Sequence, residues 1–350
     1  MSKELPQEWK RILDRLPQVI ETSHGTGGKM THELIETLFV PLFRNPTLAT
    51  LQDQAVVDTP AAGRLALSTD SFVVQPFRFP GGNIGDLAVH GTVNDLLMGG
   101  ATPLYLTVAF VLMEGMALKD LVEVTQSMAN AAKKAKVQIV TGDTKVVEGR
   151  SEDGLFLTTT GLGVVPPWVD WRPECILPGD AVILSGTVGD HGASVMASRY
   201  EMEFETQIQS DTACLREVVM AVRDLQGIHC MRDPTRGGLA TTLAELSAAS
   251  GLCLKVRERD IPIREDVRGL CEVLGLDPLY VANEGKLVAV VAPEVADEVV
   301  RRMRQTAVGR EARVIGEVDA TLLGEACLVT ELGAQRVLDL LAVEQLPRIC

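Results

Sequence analysis

Residues 85–100 read G-D-L-A-V-H-G-T-V-N-D-L-L-M-G-G, an apolar stretch closed by two glycines, with Asn94 and Asp95 interrupting its apolar face. The spacing and the glycine stop predict a helix. On either side lie runs rich in β-branched and aromatic residues, R-L-A-L-S-T-D-S-F-V-V at 64–74 and Y-L-T-V-A-F-V-L-M at 105–113, which read as strands. Q-A-V-V-D at 54–58 reads as a further strand, and M-T-H-E-L-I-E-T-L-F at 30–39 has apolar residues at helical spacing. A second helix over 118–135 leads into V-Q-I-V-T-G-D-T at 137–144 and then L-F-L-T-T-T-G-L-G-V-V at 155–165. Strands and helices in this order predict an α+β fold of packed layers, with helices on one face of each sheet.

The composition then changes. V-P-P-W-V-D-W-R-P-E-C-I-L-P-G-D at 165–180 is rich in proline and tryptophan and has no periodicity, so a domain junction is expected near 165–178. Beyond it D-A-V-I-L-S-G opens a second unit, with helices expected at 214–225, 238–249 and 293–304 and strands such as K-L-V-A-V-V-A at 286–292. A chain of 350 residues has room for about two domains. With 46% hydrophobic and 23% charged residues it suits a globular protein with an aliphatic core. A net charge of −14 argues against nucleic acid, whose phosphates call for clustered Lys and Arg. No run approaches 18 apolar residues, and M-S-K-E-L-P-Q-E-W-K lacks the apolar centre of a signal peptide. A cytoplasmic protein without a membrane partner is therefore expected.

The seven cysteines are odd in number, scattered, and form no C-x-x-C pair, so neither a disulfide framework nor a zinc knuckle is indicated. Cys350 closes the stretch E-Q-L-P-R-I-C. Prenylation would need the cysteine where Pro347 stands. What is left is a carrier or nucleophilic thiol, or an untethered end. Seven extended residues reach roughly 23–25 Å, enough for such a thiol to visit a site and leave it.

Several segments place Gly beside Asp, Asn, Glu or Lys at element ends. H-G-T-G-G-K at 24–29 lacks the Gly and the Ser or Thr of a Walker loop, since Ser23 and Met30 stand there. Backbone amides around Gly27 and Gly28, with Lys29, still suit a lid over phosphates, or an ordinary loop. Asp70 lies inside an apolar strand run, where an acid is costly unless paired or metal-bound. Asn94 and Asp95, Asp143 and Lys145 in I-V-T-G-D-T-K-V-V, Asp233 in M-R-D-P-T-R-G-G-L, and Asn283 with Glu284 in V-A-N-E-G-K-L-V complete the set. Taken singly, each also reads as a cap or turn residue. Together they fit a nucleotide site in which Asp70, Asp95 and Asp143 offer oxygens to Mg²⁺ and glycine-led helix starts offer amides to anionic oxygens.

These motifs, with the closing P-R-I-C, resemble the HypE family of carbamoyl dehydratases in NiFe-hydrogenase maturation, from about Gly25 to Cys350. That family sits within the aminoimidazole ribonucleotide synthetase-like ATP enzymes. The resemblance implies two α/β-layer domains, with the first domains of a homodimer pairing into an intersubunit β-barrel and ATP near that interface. It divides the chain into an extension and Gly-rich ATP lid (1–40), an ATP-binding and dimerisation domain (41–167), a second α+β domain (168–320) and a flexible segment carrying the reactive cysteine (321–350). It also implies that HypF carbamoylates Cys350, that ATP with Mg²⁺ drives dehydration of the S-carboxamide to a thiocyanate, and that cyanide passes to iron on a HypC–HypD complex. Proton handling falls by similarity to Lys145 and Glu284, with phosphate binding as the other role open to Lys145. Asp70, Asn94, Asp95, Asp143, Asp233, Asn283 and the Gly27–Gly28–Lys29 segment would bind the nucleotide.

Two rival readings stand beside this one. Selenophosphate synthetase, in the same group, would need a reactive cysteine in H-G-T-G-G-K, which has none. A non-enzymatic thiol carrier or scaffold would explain Cys350 and leave the acidic positions without a task.

Overall fold

The computed structural model describes residues 7–25, 29–50, 55, 57, 62–149, 154–199, 207–321, 324–340 and 349. Most of the strand expected at 54–58 lies outside them, as do Gly27, Gly28 and Cys350. The first elements are helices: α1 (Gln7–Leu13), α2 (Lys29–Leu34), a π-helical turn over Ile35–Phe39, and α3 (Val40–Phe43). The helix expected at 30–39 is thus present, but its second half widens. Val40 N–H bonds to Ile35 carbonyl, five residues back, just before Pro41, which has no N–H with which to continue the regular ladder.

The first sheet begins with β1 (Arg64–Phe72) and a small hairpin, β2 (Arg78–Phe79) and β3 (Gly82–Asn83). The helix read from residues 85–100 follows as α4 (Ile84–Met98). Asn83 caps it. The Asn83 side chain accepts from Gly85 N–H at 2.8 Å, and Asp86 accepts from Asn83 N–H at 3.1 Å, a reciprocal capping box. Next come β4 (Thr102–Met113), α5 (Leu118–Ala135), β5 (Gln138–Val147) and β6 (Leu155–Val165), giving the strand order β1-β6-β4-β5. Only β4 and β5 run parallel, as their crossover through α5 requires.

Helix α4 is buried nearly all round, because one side lies on β1 and β6 and the others meet α5 and the second unit. That placement explains a sequence that is apolar without a polar stripe. Gly161 lets the helix approach: a Cβ there would stand 2.8 Å from Leu96 Cδ1.

The second unit contains β7 (Ala181–Leu184), α6 (Asp190–Arg199), α7 (Arg216–Met220), β8 (Ile228–Arg232), α8 (Gly238–Ser250) and β9 (Cys253–Arg257). It continues with α9 (Glu265–Leu274), β10 (Val288–Val291), α10 (Ala296–Met303), β11 (Arg313–Asp319), β12 (Ala326–Val329) and β13 (Gln335–Leu338). The order is β13-β12-β9-β11-β7-β10-β8, antiparallel except between β12 and β9.

One expectation is corrected here: the second sheet carries helices on both faces. Ile183, Ala289 and Val291 pack with residues of α6, α7, α9 and α10, whereas Val182, Leu184, Val288 and Val290 pack with Leu239, Ala240 and Leu243 of α8. Strands β7 and β10 are therefore buried on both sides, which is why they read as unbroken aliphatic runs. The helix expected at 214–225 is also shorter, regular only over α7.

Candidate active site

A cavity of about 520 Å³ lies between the two units, and four carboxyl groups line it: Asp70 from β1, Asp95 from α4, Asp233 just after β8, and Glu284 before β10. Asp95 accepts from the Ser68 hydroxyl at 2.6 Å. The Arg236 guanidinium stands 4.0 Å from Asp70, a half-exposed contact that neutralises little of this charge.

The crowding of acids sets their proton affinities. Burial, then the nearby Asp95, pushes the Asp70 carboxyl up to about 6. The same two causes push Asp233 up to about 7. Glu284 is driven well above the usual carboxylate range by burial and then by Asp211, Asp233, Asp70 and Asp95. Such shifts mark a place prepared for a proton or a cation.

Glu284 is held by its backbone. Its N–H and that of Gly285 donate to the two oxygens of Asp211, each at 3.1 Å, and the Lys286 ammonium donates to the same carboxylate at 3.0 Å. Burial alone would raise Asp211, but Lys286, His191 and these hydrogen bonds outweigh it and hold the group below its ordinary value. A charged carboxylate thus sits directly behind a protonatable one.

The two asparagines shape the cleft. Asn94 is buried and gives both ends of its amide to backbone, donating to Ala213 carbonyl at 3.0 Å and accepting from Leu215 N–H at 2.9 Å. Asn283 accepts from Gly189 N–H at 2.7 Å and donates to Pro234 carbonyl at 2.9 Å, fixing the turn that carries Asp233.

Asp143 and Lys145 lie elsewhere. They point to the face of the first sheet opposite Asp70, where they pair with each other at 3.2 Å in an exposed position. Asp143 lines a separate cavity of about 230 Å³ with Thr31, His32 and Phe110. Within one subunit the structure therefore does not bring Asp143 to Asp70 and Asp95, nor Lys145 to Glu284. Lys29 is exposed at the start of α2. Gly25 presses on β5 so closely that a Cβ would stand 2.3 Å from Val146 N and 3.0 Å from the Lys145 carbonyl carbon.

Asp211, Lys286 and His191 escaped the sequence reading. Lys286 belongs to the quoted N-E-G-K, but Asp211 sits in an irregular segment whose partners lie more than 70 residues away. Local pattern carries no signal of such a role.

The donor set suits a hard cation. Mg²⁺ takes one or two carboxylates and completes its shell with phosphate oxygens and water, which Asp70 and Asp95 match. Among the described residues no three His, Cys, Asp or Glu side chains close on a metal-binding group by themselves. Three of the buried cysteines are poor nucleophiles: burial pushes Cys230 up to about 12 and Cys253 and Cys271 up to about 11.

Comparison with known proteins completes the description. Residues 51–165 match the family model of the AIR synthase related protein N-terminal domain, and 178–325 match its C-terminal domain. The carbamoyl dehydratase HypE of Cupriavidus necator is 48% identical over 351 residues, covering 100% of both chains. A crystal structure of hydrogenase maturation protein HypE in complex with ATP superposes with a TM-score of 0.90 at 45% identity, covering 94% of this chain and 99% of that one. The HypE chain matched in a crystal structure of a HypE–HypF complex gives 0.76 at 44% identity, covering 87% and 99%.

Proposed function

This chain belongs to the HypE family of AIR synthase-related proteins, and from that premise we propose how its cleft carries out the family's reaction. It is an ATP-dependent carbamoyl dehydratase of hydrogenase maturation, with HypF as a partner. The substrate in this reading is an S-carboxamide on Cys350. Its oxygen takes the γ-phosphoryl group with release of ADP; the C–O bond then breaks as phosphate departs and the nitrogen gives up two protons. One of these ends on phosphate at neutral pH and one on solvent, leaving a thiocyanate.

Glu284 carries the reading. It is a buried carboxyl facing the cleft, with its proton affinity raised well above the usual carboxylate range by burial and the neighbouring acids. A carboxylate raised in this way binds a proton more strongly than an ordinary one, as a general base must. In this account Glu284 takes a nitrogen proton as the C≡N bond forms, and Asp211 and Lys286 fix its backbone. Asp70 and Asp95 would hold Mg²⁺, which when bound neutralises charge on the transferring phosphoryl group. Asp233 contributes a further oxygen to the same cleft.

We place Asp143 and Lys145 in a dimer interface. They share the outward face of the first sheet with Leu65 and Leu67, which are 61% and 72% exposed. Pairing of two such faces, as the family resemblance implies, would bury those leucines and bring Lys145 near the nucleotide, to handle a proton or steady the γ-phosphate. A HypC–HypD complex is the cyanide acceptor in this reading.

Intact-mass spectrometry tests it. After incubation with carbamoyl phosphate, ATP and HypF, the chain should gain one carbamoyl group at Cys350 and then lose one water. Glu284→Gln should keep the gain and slow the loss at least 100-fold. A wild-type chain that gains the group and never loses water is a carrier, and the dehydratase reading fails.

A further inference from the structure

Of the segment beyond Leu340, Ile349 is described, and it is not free: its side chain is buried, and its carbonyl oxygen lies 2.5 Å from His191 Nε2. His191 is in the first turn of α6 and wholly buried. Its other ring nitrogen, Nδ1, is 2.8 Å from the Ser210 hydroxyl. Phe79 of the β2–β3 hairpin meets the ring edge to face at 5.2 Å between centroids.

The hydrogen positions follow from the partners. Burial holds the imidazole below its usual range, against the opposing influence of the Ile349 carbonyl and Asp211, so it is neutral at pH 7. Ser210 Oγ accepts from Thr212 N–H at 3.0 Å and has its own proton to give to Nδ1. The hydrogen of the ring then sits on Nε2, where the Ile349 carbonyl accepts it. The opposite tautomer would face two acceptors across a buried 2.5 Å gap.

The grip is tied to the catalytic cleft by short links. Gly192, next to His191, donates its N–H to Ala282 carbonyl at 3.1 Å, and Gly189 N–H bonds to Asn283, the residue before Glu284. From the other side, Ser210 orients the imidazole while its neighbour Asp211 holds the backbone of Glu284.

We propose that His191 is the positioning residue that docks the thiol-bearing segment for dehydration: Nε2–H holds the Ile349 carbonyl, the Ile349 side chain fills an apolar seat, and release of both frees Cys350 for carbamoylation. This rests on the reading of Cys350 as the carrier. It gives that reading a seat in the folded protein beside the loop that carries the base.

The test compares wild type, His191→Phe, which keeps a ring and loses the donor, and His191→Gln, which keeps a donor. Native alkylation of Cys350 by iodoacetamide, followed by mass spectrometry, should quicken about tenfold in His191→Phe, toward the rate of the free peptide E-Q-L-P-R-I-C, and rise less in His191→Gln. Equal rates in wild type and His191→Phe would overturn the proposal. Nitrogen-15 NMR of the unsubstituted imidazole supplies a measurement that needs no change at His191: the Nε2–H signal should shift between the full chain and one ending at Arg348, and an unchanged signal counts equally against the dock. In single-turnover dehydration of the preloaded protein, His191→Phe should lower the rate constant at saturating ATP about tenfold with the half-saturating ATP concentration unchanged, a split that general distortion of the cleft would not produce. Alkylation and NMR need neither ATP nor HypF. Failure of the dehydratase reading therefore shows in the wild type alone, and failure of the dock shows in the comparison.

Discussion

Asp70 and Asp233 show what a single carboxyl costs when it is buried beside other acids. A group pushed up to about 7 keeps its proton in the folded state while the unfolded chain, with the ordinary value of 3.8, has lost it. Folded protein then binds more protons than unfolded protein between those values, so stability falls as pH rises through that window and levels off above it. Asp70 adds to the decline up to about pH 6. Asp233→Asn removes the larger part. The ligand-free variant is expected to melt roughly 4 °C or more above wild type at pH 8, with the difference closing by pH 4, as read by scanning calorimetry across pH. A difference independent of pH would mean that Asp233 is not a buried, proton-holding group. Asp70 could be singled out in advance because an acid within an aliphatic strand run is conspicuous. His191 could not, because its surroundings arise from Ser210, Phe79 and Ile349, which are distant in the chain and meet only in the fold.

At the level of elements, α4 was the most legible part of the chain and also the most instructive. Its glycine stop marked its end well, but the sequence offered no way to see that Asn94 faces the second unit. In the fold this amide clips α4 to the backbone at Ala213 and Leu215, and so sets the distance across which Asp95 looks toward Asp233 and Glu284. Asn94→Ala would take their side-chain partner from the buried Leu215 N–H and the part-buried Ala213 carbonyl, at a cost of about 1–3 kcal/mol. The expected result is a matching fall in the denaturation midpoint with an unchanged slope, and a larger loss than a substitution at an exposed position of the same helix would cause. A midpoint within error of wild type would show that the clip does not hold the units together. The helices on both faces of the second sheet were missed for a related reason. An unbroken aliphatic run such as V-A-V-V says that both faces are covered but not by what. Gly285 illustrates the same limit within N-E-G-K: its Cβ would stand 1.9 Å from the Asp211 carbonyl, a demand that appears only once the irregular 207–215 segment is folded against it.

For the molecule as a whole, the separation of Asp143 and Lys145 from the interdomain cleft is the feature that asks for a second subunit. The sheet itself divides the two groups, because residue parity along β1 and β5 places Asp70 on the helix-covered face and Asp143 on the opposite one. That face presents Leu65 and Leu67, and among the described residues β1 is an edge strand of its sheet. A face both aliphatic and open at its edge invites pairing with a copy of itself. Leu67→Lys places a charge where pairing would bury it, and the mass in solution should fall from twice 37.7 kDa to 37.7 kDa by light scattering. Carbamoylation of Cys350 by HypF should persist in that variant, since Ile349, the residue before it, packs on the second unit, while ATP-dependent loss of water should drop at least tenfold for want of Asp143 and Lys145 near the nucleotide. A Leu67→Lys monomer that dehydrates at the wild-type rate would show that each subunit is complete, and would require Lys145 to act without the interface.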